Sequence, residues 1–341
     1  MKKISYIFTS LAIVVIALAL LFSRIFFAKT ILPKEDQCVM FIPTGSSYSD
    51  VIDTLNSNLF IKNKLPFNWL AKKKKYPNLI KPGRYVVNHP ISINDLIDML
   101  RSGNQSPVRV TFNNIRTMEQ LAGRFEKQLE TDSIDFMIFF SDLSNYSKDG
   151  FTKENIISIF IPNTYEFFWN TDANGIYTRM LREYSRFWTP DRIAKAEKLG
   201  LSPKDVSILA SIIDDEVTKK EEKPVIAGVY LNRLKRGMPL QACPTIKFAM
   251  NDFTITRVLN HHLTIESPYN TYKYRGLPPG PIGCPSIEGI DATLNAENHD
   301  YLFFAAKADF SGYHNFSRTL TQHNRYAAEY QRELNRRRIF R

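Results

Sequence analysis

Cysteine is scarce in this chain: there are three among 341 residues, and Cys38, Cys243 and Cys284 show no C-x-x-C spacing. That is too few for a disulfide framework and the wrong pattern for a thiolate metal or redox site. In an oxidising compartment one pair could still bridge, Cys243 with Cys284, while free thiols are equally allowed. Also missing are G-x-S-x-G, H-E-x-x-H, a Walker loop and a dinucleotide glycine fingerprint. Their absence removes the commonest hydrolase, zinc-protease and nucleotide-binding classes. Histidine is rare at six. His261 and His262 are adjacent and should diverge on either a strand or a helix, so no metal is expected. His314 and His323 lie near the start of the last helix, where hydrogen bonding within the fold is the simpler reading. No internal repeat or low-complexity segment is present.

What is present points to a globular envelope protein. The chain is 44% hydrophobic and 13% aromatic, enough for real cores, and its length suits two or three domains. A net charge of +11 invites a polyanion. The basic residues are dispersed, however, apart from Lys72 to Lys75 and the arginines at 336 to 338. Lys2 and Lys3 precede an apolar run from Ile4 to Ala28, interrupted late by Arg24. This exceeds the roughly 7 to 15 apolar residues of a cleaved signal peptide, lacks a clean A-x-A ending and reaches the ~20 needed to span a bilayer. A retained single-pass anchor follows, lysines inside and the bulk of the chain outside the cytoplasmic membrane. That location argues against nucleic acid as partner, even where Lys273 and Arg275 alternate with Tyr269, Tyr272 and Tyr274.

After a linker near Pro33, a small α/β module is expected over 38–106. It has strands at Val39 to Ile42 and Arg84 to Val87, and helices at Tyr48 to Asn56 and Ile93 to Arg101. The lysine run at 72 to 75 reads as a solvated helix end. A connecting α/β segment over 107–175 begins with the alternating strand VRVTF at Val108 and closes on IPNTYEFFW, Ile161 to Trp169. There Glu166 sits among aromatic rings that suit either a sugar-binding cleft or ordinary core packing. Helices at Ile176 to Trp188 and Asp191 to Leu199 lead into the remaining segment, 176–341. Its Pro- and Gly-dense stretch from Ser267 to Pro285 implies a long ordered loop, with Gln241, Pro244 and Thr245 in another. Strands near Tyr301 to Ala306 and Tyr313 to Ser317 precede a polar helix from Thr319 to Arg338.

The most informative stretch starts at Ser202. Ser202 with Asp205 forms an S-x-x-D cap and Pro203 is tolerated in the first turn. Val206, Leu209, Ala210, Ile212, Ile213 and Val217 then recur at helical spacing. Three acids follow, Asp214, Asp215 and Glu216. With about 100° per residue and Val206 at zero, Ile213 falls at about 340°, Glu216 at about 280°, Asp214 at about 80° and Asp215 at about 180°. Only Glu216 points with the apolar stripe. A carboxyl held against apolar neighbours keeps its proton to higher pH, as a glycosidase acid must. A solvent-facing helix end or a buried salt bridge is the plainer alternative at this point.

Four blocks, LASIIDDE, VYLNRLKRGMPLQACPT, SPYNTYKYRGLPPGPI and HNFSRTLTQHN, together resemble the signature blocks of the MltG (YceG-like) endolytic murein transglycosylases. The resemblance covers nearly everything beyond the anchor. It implies an α+β protein: a single N-terminal transmembrane helix (1–33), a small LysM-like peptidoglycan-binding module (38–106) and a mixed α/β catalytic domain (176–341). It also implies cleavage of the MurNAc–GlcNAc bond within nascent glycan strands, leaving a 1,6-anhydroMurNAc end. No cofactor is implied; the partners are peptidoglycan strands and the synthases that make them. The second acid of the family's A-S-I-x-E-x-E motif falls on Glu216, the catalytic candidate, and the first on Asp214. Asn232, Gln241, Thr245, Tyr269, Asn270, Tyr272 and Glu166 become substrate-binding candidates. Cys243 and Cys284 depart from the family pattern, standing where aspartate and asparagine are common. Two other readings stay open: a lysozyme-type hydrolase with Glu166 or Asp214 as second carboxylate, and a non-catalytic peptidoglycan-binding scaffold.

Overall fold

The structure is a computed structural model that describes residues 2–255 and 258–337. Arg338, the expected end of the last helix and of the arginine run, lies outside the described residues. The chain divides into two compact units: 1–110 with 125–131 and 165–172, and 111–124 with 132–164 and 173–341. The segment expected to connect them, 107–175, is thereby shared between both.

The first unit begins with the helix Lys2–Phe27. Its stretch Tyr6–Phe27 has a mean hydropathy of 2.5 and leaves most of its apolar side chains uncovered by protein, Phe26 being buried, as expected of a helix long and apolar enough to cross a membrane. Next come two antiparallel strand pairs, Ile31–Pro33 with Leu59–Ile61 and Cys38–Ile42 with Gly83–Val87, the latter in register Cys38 to Val87. Alternation puts Met40, Ile42, Tyr85 and Val87 inside. Helices Tyr48–Asn58, Lys64–Lys73 and Ile93–Ser102 cover that face with Val51, Leu55, Phe67, Leu96, Ile97 and Leu100. The strands Ile31–Pro33 and Leu59–Ile61 were not expected, nor was the helix Lys64–Lys73 beyond its lysine end. Only Phe67, Leu70 and Ala71 mark the helix's buried face, too short a pattern to stand out beside its lysines. Lys72 and Lys73 do form its solvated end, and Lys74 pairs with Asp98 at 2.6 Å.

In the second unit the helix Pro203–Glu216 is the central element. Every residue from Val206 to Ile213 is buried, so the expected one-sided stripe is in fact a helix enclosed all round. That is possible because its two inward serines are satisfied locally. Ser207 Oγ donates to Pro203 O, and Ser211 Oγ donates to Ile208 O while accepting from the backbone N–H of Ile282. Around it pack the helices Pro190–Leu199, Lys223–Lys235, Cys243–Ala249 and Ile287–Leu294. Pro244 and Thr245, expected in a loop, lie in the first turn of Cys243–Ala249, where a proline lacks no needed N–H. The expected long loop is real. Gly280 fits only as glycine, since a Cβ there would fall 1.9 Å from Glu154 O. His261 and His262, expected to diverge, have ring centroids 4.0 Å apart, because they sit in a short 3-10 turn rather than a strand or α-helix. Strands Phe303–Ala306 and His314–Ser317 pair antiparallel, and the helix Leu320–Arg336 follows them. The three cysteines are free, with Cys284 buried and Cys243 exposed.

The start of the central helix carries the cap read from its sequence. Ser202 Oγ accepts from Asp205 N at 3.2 Å and Asp205 Oδ2 accepts from Ser202 N at 2.9 Å. Ser202→Ala should therefore cost about 1 kcal/mol, read as a lowered urea midpoint with an unchanged slope.

Candidate functional site

The three acids that end the central helix face different surroundings. Asp214 turns toward the N-terminus of the helix Ile287–Leu294. Its Oδ2 accepts from Ser286 N at 2.7 Å, and its Oδ1 accepts from Ser286 Oγ at 2.9 Å and from Lys223 Nζ at 2.8 Å. A Cβ on Gly289 would lie 2.5 Å from that carboxylate, so glycine makes room for it. Asp215 pairs in a bidentate fork with Arg116, the Nη2 contact at 3.1 Å. These two acids line a cavity of about 340 Å³ with Arg116, Lys223, Ser286 and Cys284.

Glu216 lies in a different cavity, of about 330 Å³, as its only carboxylate among the described lining residues. Tyr230, buried on the helix Lys223–Lys235, donates its hydroxyl to Glu216 Oε1 at 2.9 Å. Burial dominates and pushes the Glu216 pKa up to about 7; the Asp215 charge adds to the rise, while the Tyr230 hydroxyl, Lys247 and Arg233 oppose it. The carboxyl is thus poised to hold a proton at neutral pH and to release it. Arg233 is buried beside it and anchored by backbone. Its Nε donates to Leu302 O at 2.6 Å and its Nη1 to Leu240 O at 2.9 Å and to Gln241 Oε1 at 3.2 Å. Burial lowers the Arg233 pKa from its usual value.

Of the residues singled out from the sequence, Glu216, Gln241 and Tyr272 meet in this cavity. Gln241 has a φ of 51°, a left-handed conformation uncommon outside glycine, with its N–H fixed to Thr271 O at 3.0 Å. The Tyr272 hydroxyl is 3.1 Å from Cys243 Sγ. Local desolvation raises both their pKa values, that of Cys243 although the residue is exposed overall, so hydroxyl and thiol stay neutral. Tyr269 lines a different cavity, of about 340 Å³, its ring against Phe248.

The others are engaged inside the fold. Asn270 is fully buried: its Nδ2 donates to Leu263 O and Ile265 O, and its Oδ1 accepts from Tyr272 N and Lys273 N. Both N–H groups and both lone pairs are used. Thr245 Oγ1 donates to Ala242 O and meets Thr271 Oγ1 at 2.9 Å. Asn232 Nδ2 donates to His299 O and Tyr301 O. Glu166 is exposed on the strand Asn163–Phe167, in the part of it that belongs to the first unit, while Tyr165 and Phe167 beside it are core residues.

Tyr230, Arg233, Cys243 and His323 complete the cavity and were not proposed from sequence. Tyr230 is also a core residue. A buried arginine in a helix's last turn was the one available signal for Arg233.

Two outcomes follow from the geometry. Removing the hydroxyl that stabilises the carboxylate, in Tyr230→Phe, raises the Glu216 pKa further. A reaction needing the protonated acid then keeps its activity to higher pH, the alkaline limb of its pH profile moving up by about one pH unit. By contrast, Asp214→Ala leaves Lys223 buried without one of its partners and should cost about 2–4 kcal/mol in denaturant unfolding, with that limb unmoved.

The chain matches the YceG-like family over residues 40–329. It is 30% identical over 305 residues to an endolytic murein transglycosylase of Bacillus subtilis, covering 85% of this chain and 83% of that protein. An endolytic murein transglycosylase of Streptococcus pneumoniae is 28% identical over 319 residues, covering 85% of this chain and 57% of the longer relative. A yceG-like protein of Listeria monocytogenes, known from its crystal structure, is 28% identical with a TM-score of 0.56, covering 85% of this chain and 98% of that one. With the match spanning both units and the Glu216 cavity, this chain belongs to the YceG-like family.

Proposed function

We propose that this chain is an endolytic murein transglycosylase that cuts MurNAc–GlcNAc bonds within peptidoglycan glycan strands. Glu216 protonates the leaving glycosidic oxygen as the C1–O bond of MurNAc breaks. As carboxylate it then takes the proton from the MurNAc 6-hydroxyl, whose oxygen bonds to C1 and closes the 1,6-anhydro ring. The proton lost in the first step is regained in the second, and no water is consumed. The observation that carries this reading is a lone carboxyl, with a pKa of about 7, in a cavity of substrate-binding size. Arg233 offsets the charge that appears on Glu216 between the two steps, while Gln241 and Tyr272 offer hydrogen-bond and stacking contacts to the sugars.

The lysozyme-type alternative needs a second carboxylate across the scissile bond. Asp214 is committed to Lys223 and Ser286, and Glu166 belongs to the other unit. Neither observation favours hydrolysis. The helix Tyr6–Phe27 would anchor the protein in the cytoplasmic membrane, with Lys2 and Lys3 inside and the chain after Phe27 outside. Residues 38–106 would serve as a LysM-like module holding the strand, built from strands and helices in alternation from Cys38 to Ser102. Synthases of the growing wall would then be near neighbours.

The test is digestion of isolated sacculi. Wild type should release 1,6-anhydro-ended fragments by mass spectrometry, and Glu216→Gln should lower their rate by about 10²–10⁴-fold. Reducing-end products would instead establish the hydrolase. The same variant carries a stability signature. The folded pKa of Glu216 is above its ordinary value, so ionising the carboxyl costs stability increasingly as pH rises from about 4.5 to about 7. Glu216→Gln removes that cost and should raise the melting temperature at pH 8 but not at pH 4.

A further inference from the structure

His323 also lines the Glu216 cavity, from the first turn of the helix Leu320–Arg336. Its ring stacks on Phe303 with centroids 5.4 Å apart and planes 28° from parallel. Its Nδ1 is sealed from solvent and has no hydrogen-bond partner among the described residues, which leaves Nε2 as the ring nitrogen that is not sealed. A sealed N–H without an acceptor costs more than a sealed lone pair, so the proton resides on Nε2. Burial and the nearby Arg233 charge both lower the pKa of the ring, which keeps it neutral. Beside the Gln241 amide and the charged Arg233, the ring therefore gives the cavity a fixed N–H donor of no charge. Around it the wall is apolar, from Phe303, Phe304, Leu320 and Leu240.

A donor of this kind set among apolar side chains fits a group with a neutral acceptor oxygen and a methyl. A carboxylate would gain more from Arg233 than from a neutral imidazole, and a bare hydroxyl would leave the apolar wall unfilled. We propose that His323 is a substrate-binding residue that recognises an acetamido group of the glycan strand, donating from Nε2 to its carbonyl oxygen. This rests on the reading of the cavity as a glycan site.

Equilibrium binding by the Glu216→Gln chain tests this without turnover. The probes are glycan strands freed of stem peptides, the same strands after chemical de-N-acetylation, and those strands re-acetylated. With His323 intact, acetylated and re-acetylated strands should bind about tenfold more tightly than de-N-acetylated ones. His323→Phe keeps the ring stack and should abolish that preference by weakening only the acetylated strands. His323→Gln, which retains an N–H donor, should restore part of it. Loss of preference in the Phe variant with recovery in Gln supports the assignment. An unchanged preference in His323→Phe, an equal weakening of both strands, or no preference with His323 intact would overturn it. Failure of the wild type to cut strands that the Glu216→Gln chain binds selectively would instead count against the transglycosylase reading alone.

Discussion

The structure depends on one carboxyl group that is nearly desolvated and still hydrogen-bonded. Burial alone would hold Glu216 protonated beyond use, and full solvation would return it to an ordinary carboxylate. The Tyr230 hydroxyl at 2.9 Å, with Lys247 and Arg233, pulls against burial and leaves the group at about 7. Protonated and ionised forms then differ little in free energy, which is what a residue that must act first as acid and then as base requires. The balance holds only if the helix end does not move. That is the consequence of burying every residue from Val206 to Ile213 and satisfying both serines within the turn.

The three consecutive acids show how a helix separates groups that are adjacent in sequence. Asp214 completes the N-terminus of a neighbouring helix and neutralises Lys223, while Asp215 neutralises Arg116. Both are structural charges with assigned partners. Glu216 alone has a neutral donor as its hydrogen-bond partner, so its protonation state is left to its environment rather than locked by a cation.

Helical angle alone distinguished Glu216 from Asp214 and Asp215, because 100° per residue separates them before any tertiary contact is considered. The cap at Ser202, the strands Cys38–Ile42, Gly83–Val87, Phe303–Ala306 and His314–Ser317, and the ordered Pro-rich loop were legible for the same local reason. What was not legible depended on distant partners. Asn270 reads in sequence as a polar residue in an aromatic loop, a natural sugar ligand. In the fold its four hydrogen-bonding positions are consumed by backbone groups between Leu263 and Lys273. Thr245 likewise joins Ala242 to Thr271, and Asn232 holds the backbone at His299 and Tyr301. Such residues frame the site rather than line it. Arg233 and His323 come from elements 90 residues apart in sequence, and no local pattern ties either to Glu216.

Cys243 bears on the same balance. It lines the cavity with Glu216, and although the residue is exposed overall, local desolvation raises the pKa of its thiol and keeps it neutral. A second carboxylate there would add like charge beside Glu216 and couple the two titrations, one rising as the other fell. With a neutral thiol held by the Tyr272 hydroxyl, the Glu216 pKa is governed mainly by desolvation and by Tyr230. Desolvation in turn is governed by how firmly the surrounding loops are closed. The buried amide of Asn270 and the paired hydroxyls of Thr245 and Thr271 set that closure, since each would be costly to expose or leave unpaired. Residues that never touch the substrate thus determine whether the one acid that does can give and recover its proton near neutral pH.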